Sequence, residues 1–222
     1  MLRAAIWDMD GTLVDTAEQH FRAWVDVCRE KGRDFTRADF AATFGRRNPE
    51  ILAYLFGDSL GRGEAEAFAD RKEELYRDAA RHGVDLLPGV AALMEGLHQL
   101  GFKQAIGSSA PRANLELILE LTGIDRYLGA VVGSEDTTRG KPDPQVFLVA
   151  AQRLGVEPKD AVVFEDAVAG VQAARAGGMR CIAVSFVGHH PPEKLREAGA
   201  DVVVVSLAEL DAAKVARLLE GG

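Results

Sequence analysis

The run Ala4-Ala5-Ile6-Trp7, followed at once by Asp8-Met9-Asp10-Gly11-Thr12-Leu13-Val14-Asp15-Thr16, decides the fold. Four apolar residues that stop at an acid and a glycine-bearing turn read as a short buried strand. The same signal recurs later in the chain. Gln104–Gly107, Ala130–Gly133, Ala161–Phe164, Arg180–Val184 and Asp201–Val205 are short apolar runs with turn residues at their ends. Runs such as Ala161-Val162-Val163-Phe164 do not alternate with polar residues, which suits strands covered on both faces.

Helical stretches fall between these runs. Pro88-Gly89 opens one that continues to Leu100 and stops at Gly101. Pro111 to Thr122, Pro144 to Leu154 and Ala167 to Ala176 supply three more. Ser206 with Glu209 three residues on is a capping pair, expected to open the final helix. Strands that alternate with helices of this length make βαβ units and a parallel sheet. The expected core is a doubly wound α/β domain, Rossmann-like, made of residues 1–16 and 85–222.

Residues 17–84 break the pattern. Phe21, Trp24, Val25 and Cys28 recur at helical spacing, and Gly32 ends that helix. Thr36 with Asp39 forms a capping box for a second helix. Asn48 reads as an N-cap, with Pro49 at the first helical position, for a third that Gly57 closes. Glu64 to His82 reads as a long polar helix ended by Gly83. No strand pattern occurs here, so an all-helical cap domain, 17–84, is expected as an insert after the first strand.

Composition narrows the partners. At 47% hydrophobic and 27% charged, the 222 residues describe a globular chain, not a disordered one. The net charge of -8 carries no basic stripe, which argues against nucleic acid or an anionic membrane. No apolar run approaches the roughly 20 residues of a membrane span, and no signal peptide is visible. The two cysteines, Cys28 and Cys181, fit no metal spacing and read as core residues in a reducing cytoplasm.

In an open parallel sheet, ligands bind beyond the carboxyl ends of the strands. After the first strand stand Asp8 and Asp10. After the second stand Ser108 and Ser109. Lys141 follows the third within Gly140-Lys141-Pro142-Asp143-Pro144, and Glu165-Asp166 ends the fourth. Four carboxylates brought to one edge repel one another unless a cation sits among them. Oxygen donors without His or Cys favour a hard ion, Mg²⁺. Such an ion welcomes a phosphate, with Lys141 and a serine hydroxyl left to hold the phosphate oxygens.

These motifs, in this order, resemble the haloacid dehalogenase-like superfamily. Asp8-Met9-Asp10-Gly11-Thr12-Leu13-Val14-Asp15-Thr16 is similar to its signature, and Ser108, Lys141 and Glu165-Asp166 match its other three motifs. The helical insert resembles the cap of the beta-phosphoglucomutase and phosphoglycolate-phosphatase-like branch. The resemblance implies that Asp8 is the nucleophile and forms an aspartyl-phosphate. It implies that Asp10 serves as acid and then base, and that Ser108 and Lys141 bind the phosphoryl oxygens. It implies a Mg²⁺ site of Asp8, the Asp10 backbone carbonyl and Asp166, with Glu165 in it or beside it. Family members that cleave carbon–halogen bonds lack the second aspartate, so Asp10 points to phosphoryl transfer.

Residues 15–24, Asp-Thr-Ala-Glu-Gln-His-Phe-Arg-Ala-Trp, are similar to the mutase pattern, as are Arg71-Lys72 and Tyr76. By that likeness His20 partners Asp10 and Lys72 reads the substrate. Arg46 and Arg47 are the cap cations expected to meet it. In the mutase pattern an arginine holds a second phosphate at the position that aligns with Asn48 here, with Arg47 one residue away. The first expectation is therefore a Mg²⁺-dependent phosphatase for small phosphate monoesters, sugar phosphates above all. Beta-phosphoglucomutase activity is the alternative, and a non-catalytic sugar-phosphate sensor a remote third. No Walker loop or Gly-x-Gly-x-x-Gly turn is present. A small phosphorylated metabolite is the expected partner, and a monomer the default.

Overall fold

The computed structural model describes residues 2–220. Six strands form one sheet: β1 (Ala4–Trp7), β2 (Lys103–Gly107), β3 (Leu128–Val132), β4 (Ala161–Glu165), β5 (Arg180–Val184) and β6 (Val202–Val204). All pairings are parallel, in the order β3-β2-β1-β4-β5-β6. Four helices and then a fifth separate β1 from β2: α1 (Ala17–Glu30), α2 (Arg37–Thr43), α3 (Asn48–Phe56), α4 (Arg62–Ala80) and α5 (Val90–Gln99). The remaining connections carry α6 (Arg112–Thr122), α7 (Gln145–Leu154), α8 (Val168–Ala176) and α9 (Pro192–Glu197), and α10 (Ala212–Glu220) ends the described chain. No helix is long and apolar enough to cross a membrane among the described residues.

Side chains of a strand alternate between the two faces of its sheet. Here both faces are covered. Trp7, Ile106, Phe164 and Ile182 pack with Met94 and Leu97 of α5, Leu115 of α6 and Val215 of α10. Ile6, Ala105, Val163 and Cys181 face the other way, onto Phe147 of α7, Val171 of α8 and Leu195 of α9. Trp7 and Phe164 stack across neighbouring strands with ring centroids 3.9 Å apart. The indole Nε1 of Trp7 donates to Gln104 Oε1 at 3.1 Å, and Gln104 Nε2 donates to Met94 O at 2.8 Å. The buried polar atoms of that layer thus find partners, and each fully buried large apolar side chain contributes roughly 1.5–3 kcal/mol.

Helices α1–α4 hold an apolar cluster of their own, with Trp24, Phe35, Phe40, Ile51, Leu55 and Phe68 at its centre. Two adjacent segments join them to the sheet. Val14 and Leu86 form an antiparallel bridge, and Leu87 N donates to Leu13 O at 2.9 Å. Where the sheet and the helices meet, Ala23, Tyr76 and Ala80 pack on Leu117 of α6.

The Thr36–Asp39 capping box is present. Other local expectations shift. The buried stripe of α1 runs through His20, Ala23, Trp24, Val27 and Cys28, leaving Phe21 and Val25 at its margin. The N-cap of α3 is Arg47 rather than Asn48, whose amide is drawn instead to Glu73 at 2.7 Å. Ser206 and Glu209 do form a capping box, but it opens a short 3-10 turn, Leu207–Glu209, and not the final helix. The final helix is capped by Asp211, whose Oδ1 accepts from Lys214 N at 2.7 Å. Helix α9 carries no long apolar stripe, so the sequence periodicity gives no sign of it.

Candidate active site

The strand order reverses between β1 and β4, and the candidate residues gather there, at the carboxyl edge. Asp8 follows β1 directly, its N–H bonded to Phe164 O at 2.9 Å. A tight loop then turns the chain: Leu13 N donates to Met9 O at 2.9 Å and Gly11 N to Val14 O at 2.8 Å. Gly11 sits at φ +87°, and a Cβ there would overlap the Asp166 carboxylate. Only glycine lets the loop lie against Asp166.

Lys141 enters the cluster from the loop after β3. Its Nζ lies 2.6 Å from Asp8 Oδ1 and 2.6 Å from Glu165 Oε1. The other Glu165 oxygen accepts from Ala167 N at 2.6 Å, at the start of α8. Gly170, on the first turns of α8, leaves room for this carboxylate; a Cβ there would overlap Glu165 Oε1. Asp8, Glu165 and Asp166 are all buried, with one ligand atom from each within 4.8 Å of the others.

Three carboxylates against one ammonium leave an excess of negative charge. Burial pushes the Asp8 carboxyl up to about 7, with Lys141 pulling it down and Glu165 adding to the rise. Burial, with Glu165 and Asp8 beside it, also drives Asp166 well above the ordinary carboxylate range. Asp166 Oδ2 is buried without a hydrogen-bond partner. An orphaned carboxylate oxygen, in a pocket of oxygen donors only, suits a hard divalent cation. Burial alone would lower Lys141, but Asp8 and Glu165 raise it, so it stays charged.

Asp10 turns the other way, toward the helices. Its Oδ1 accepts from Thr16 Oγ1 and lies 3.3 Å from His20 Nε2. Burial raises the Asp10 carboxyl, but the His20 contact and the Thr16 hydroxyl outweigh it and hold the group below its ordinary value. His20 stacks on Tyr76 at 3.9 Å, nearly parallel. Its Nδ1 lies 2.8 Å from Lys72 Nζ, and Lys72 is buried, donating also to Glu73 Oε1 at 2.9 Å.

A cleft of about 570 Å³, counting its open mouth, lies between the sheet edge and the helices. Asp8, Asp10, His20, Arg46, Lys72 and Ser108 all line it, with Trp24, Phe40, Phe44 and Ile51 as an apolar wall. Ser108 is buried at the end of β2, and its Oγ accepts from Ala110 N at 3.1 Å, which leaves the hydroxyl proton free to donate. Arg47 differs from its expected place. It does not line this cleft; its Nη2 donates to Ser134 O and, at 2.8 Å, to Thr137 O, both in the loop before Lys141. Its side chain satisfies these backbone carbonyls.

Sequence reasoning missed Glu73 and Asn114, and read Asn48 as a helix cap rather than as a partner of Glu73. Glu73 is buried, its Oε1 accepting from Asn48 at 2.7 Å and its Oε2 from Asn114 of α6 at 2.7 Å. A signal existed. Phe68, Lys72, Glu73, Tyr76 and Ala80 share one helical stripe by their 3–4 residue spacing, so the two charges ride on the apolar face.

The family model of haloacid dehalogenase-like hydrolases matches residues 2–178, and the chain belongs to that family. Among its relatives is the validoxylamine A 7'-phosphate phosphatase of Streptomyces hygroscopicus subsp. limoneus. It is 32% identical over 213 residues, 95% of this chain and 96% of the relative. The fructose-1-phosphate phosphatase of Escherichia coli (strain K12) is 34% identical over 182 residues, 82% of this chain and 96% of the relative. The crystal structure of a beta-phosphoglucomutase from Clostridium difficile superposes with a TM-score of 0.89 at 25% identity. That match covers 100% of this chain and 98% of the other.

Proposed function

We propose that the chain is a phosphatase that hydrolyses small phosphate monoesters, sugar phosphates above all, with Mg²⁺ as cofactor. The observation that carries this reading is the pairing of Asp8, held 2.6 Å from Lys141, with Asp10, held apart from it by Thr16 and His20. Two carboxylates in such different surroundings divide the work between nucleophile and acid–base.

In the proposed reaction Asp10, ionised in the free enzyme, takes up the proton of the incoming phosphate monoanion. An Asp8 carboxylate oxygen then attacks phosphorus, and the ester oxygen leaves with that proton from Asp10. Asp10, now ionised, takes a proton from water as that water attacks the aspartyl-phosphate. The P–O bond to Asp8 breaks, phosphate departs, and Asp8 is restored. Lys141 and the Ser108 hydroxyl hold the phosphoryl oxygens throughout. Asp8, the Asp10 carbonyl and Asp166 would hold the cation, with Glu165 in contact or adjacent. When bound, a divalent ion there cancels carboxylate charge and offsets the charge of the phosphoryl group.

Hydrolysis is favoured over a mutase cycle by how the cap cations are used. A mutase has to hold a second phosphate. Here Lys72 is paired with Glu73 and Arg47 is bound to loop carbonyls, which leaves Arg46. The mutase reading has support from Arg46 in the cleft and from the full-length likeness to a beta-phosphoglucomutase structure. One incubation separates them: protein, Mg²⁺, beta-glucose 1-phosphate and catalytic glucose 1,6-bisphosphate. Free phosphate supports hydrolysis, and glucose 6-phosphate supports the mutase. Activity that persists in excess chelator would overturn the cation requirement.

A further inference from the structure

A line of buried polar contacts leaves the sheet domain, crosses the helical block and returns to Asp10. It starts at Asn114 on α6, whose Oδ1 accepts from Arg77 at 3.0 Å. That bond orients the amide, so its Nδ2 donates to Glu73 Oε2 at 2.7 Å. Glu73 Oε1 then accepts from Asn48 at 2.7 Å and from Lys72 Nζ at 2.9 Å. Lys72 continues to His20 Nδ1 at 2.8 Å, and His20 Nε2 reaches Asp10 Oδ1 at 3.3 Å.

The chemistry of these groups fixes the direction of each bond. An ammonium has donors and no acceptor, so His20 Nδ1 accepts from Lys72. The ring proton then sits on Nε2, the nitrogen that faces Asp10, and Asp10 Oδ1 accepts it. Glu73 is the carboxylate that holds the Lys72 ammonium beside this nitrogen, with the Tyr76 ring 5.5 Å from it on the same helix. Glu73 is held in turn by Asn114, which belongs to the sheet domain and not to the helical block. The contact exists only while that block is docked.

We propose that Glu73 is a positioning residue. Held by Asn114 when the helices are docked, it seats Lys72 on His20 Nδ1 and so fixes the His20 tautomer that donates to Asp10. The inference rests on the reading of Asp10 as the acid and base of the reaction. It makes the orientation of Asp10 depend on Glu73 and Asn114, acting through Lys72 and His20, which line the cleft. The hydrogen bond made at one ring nitrogen selects which nitrogen carries the proton, and here that bond comes from the ammonium Glu73 holds.

The test uses the full chain. Long-range proton–nitrogen NMR reads the His20 tautomer, with the His20→Gln variant assigning the signal. Turnover is followed on p-nitrophenyl phosphate with Mg²⁺. The expected wild-type tautomer has Nε2 protonated and Nδ1 bare. In Glu73→Gln, an isosteric change that places an amide NH2 among donors, that pattern is lost. Its kcat falls roughly 10- to 100-fold, as for other orienting partners of functional side chains, with KM little changed. Asn114→Ala opens the contact from the sheet side, moves both readouts the same way, and decides the question if the first variant does not fold. A wild-type His20 protonated on Nδ1 overturns the proposal. So do folded variants with wild-type kcat and tautomer, or variants that change KM alone. If the wild type hydrolyses no monoester, the phosphatase reading falls and the NMR readout alone judges Glu73.

Discussion

The Nζ of Lys141 lies 2.6 Å from Oδ1 of Asp8, a residue 133 positions away in sequence, and both side chains are buried. The same ammonium is 2.6 Å from Glu165. Removing one partner from such a buried pair costs about 3–5 kcal/mol, because the remaining charge is left without compensation. Lys141→Met keeps the stem and removes the charge. It is expected to lower the cation-free unfolding free energy by about that amount at neutral pH, and to abolish phosphoryl transfer. The stability loss shrinks as pH falls, since the stranded carboxylates can then protonate. Urea denaturation at pH 5 and pH 8 checks this; an equal loss at both would count against the electrostatic account.

The carboxylate cluster predicts how a cation and pH act together. In the cation-free chain Asp8 titrates near 7 rather than at its ordinary 3.8. The folded state therefore binds this proton more tightly than the unfolded one. Its stabilising effect is full below pH 3.8 and is lost as pH rises through about 7. Mg²⁺ needs the ionised carboxylates, so the rise in Tm on adding it should be larger at pH 8 than at pH 5. Gly170→Ala, which displaces the Glu165 carboxylate while leaving α8 a good helix, should remove most of that rise. Calorimetric scans with and without Mg²⁺ measure both. A Tm change independent of pH would remove Asp8 and its neighbours as the ligands.

The sheet is legible in the sequence because its signals are local. Ala4–Trp7 and Ala161–Phe164 announce buried strands by composition alone, and the acids at their ends follow from sequence position. The Thr36–Asp39 capping box is equally local. What stays hidden depends on pairing across the chain. Glu73 looks like one more acid on a polar helix, and its burial is set by Asn48 and Asn114, 25 and 41 residues away. Arg47 reads as a ligand for substrate because nothing in sequence shows that loop carbonyls lie nearer. Ser206 and Glu209 announce a cap that does form, but the pair cannot say that its helix stops after one 3-10 turn.

Arg46 and Arg47 are neighbours with separate predicted roles. Arg46 lines the cleft, so Arg46→Ala should raise KM for a phosphate monoester. Arg47 instead ties α3 to carbonyls of Ser134 and Thr137. Arg47→Ala leaves those carbonyls to water and loosens the loop that leads to Lys141. The expected signature is faster amide exchange across residues 134–140 with a smaller change in KM than Arg46→Ala gives. Hydrogen exchange followed by mass spectrometry, beside steady-state kinetics, reads both. Should Arg47→Ala raise KM more than Arg46→Ala, the assignment of the two is reversed.

Glu73 also carries a stability signature that is independent of catalysis. Burial alone would raise its pKa, but Lys72 and His20, with the amides of Asn114 and Asn48, hold it down to about 2 against an ordinary 4.5. A depressed carboxyl stabilises the fold above pH 4.5 and loses that contribution as pH falls toward 2. Each tenfold change in proton affinity is worth about 1.4 kcal/mol, so the ionised group contributes up to about 3 kcal/mol at neutral pH. Glu73→Gln imitates the protonated side chain, so its deficit against wild type should be greatest at pH 7. By pH 3.5 the linkage relation narrows that gap by about 1 kcal/mol. Denaturant titrations of both proteins at pH 7, 5 and 3.5 test the sign and the window. A deficit that stays constant across them would mean that Glu73 contributes shape to the interface and not charge.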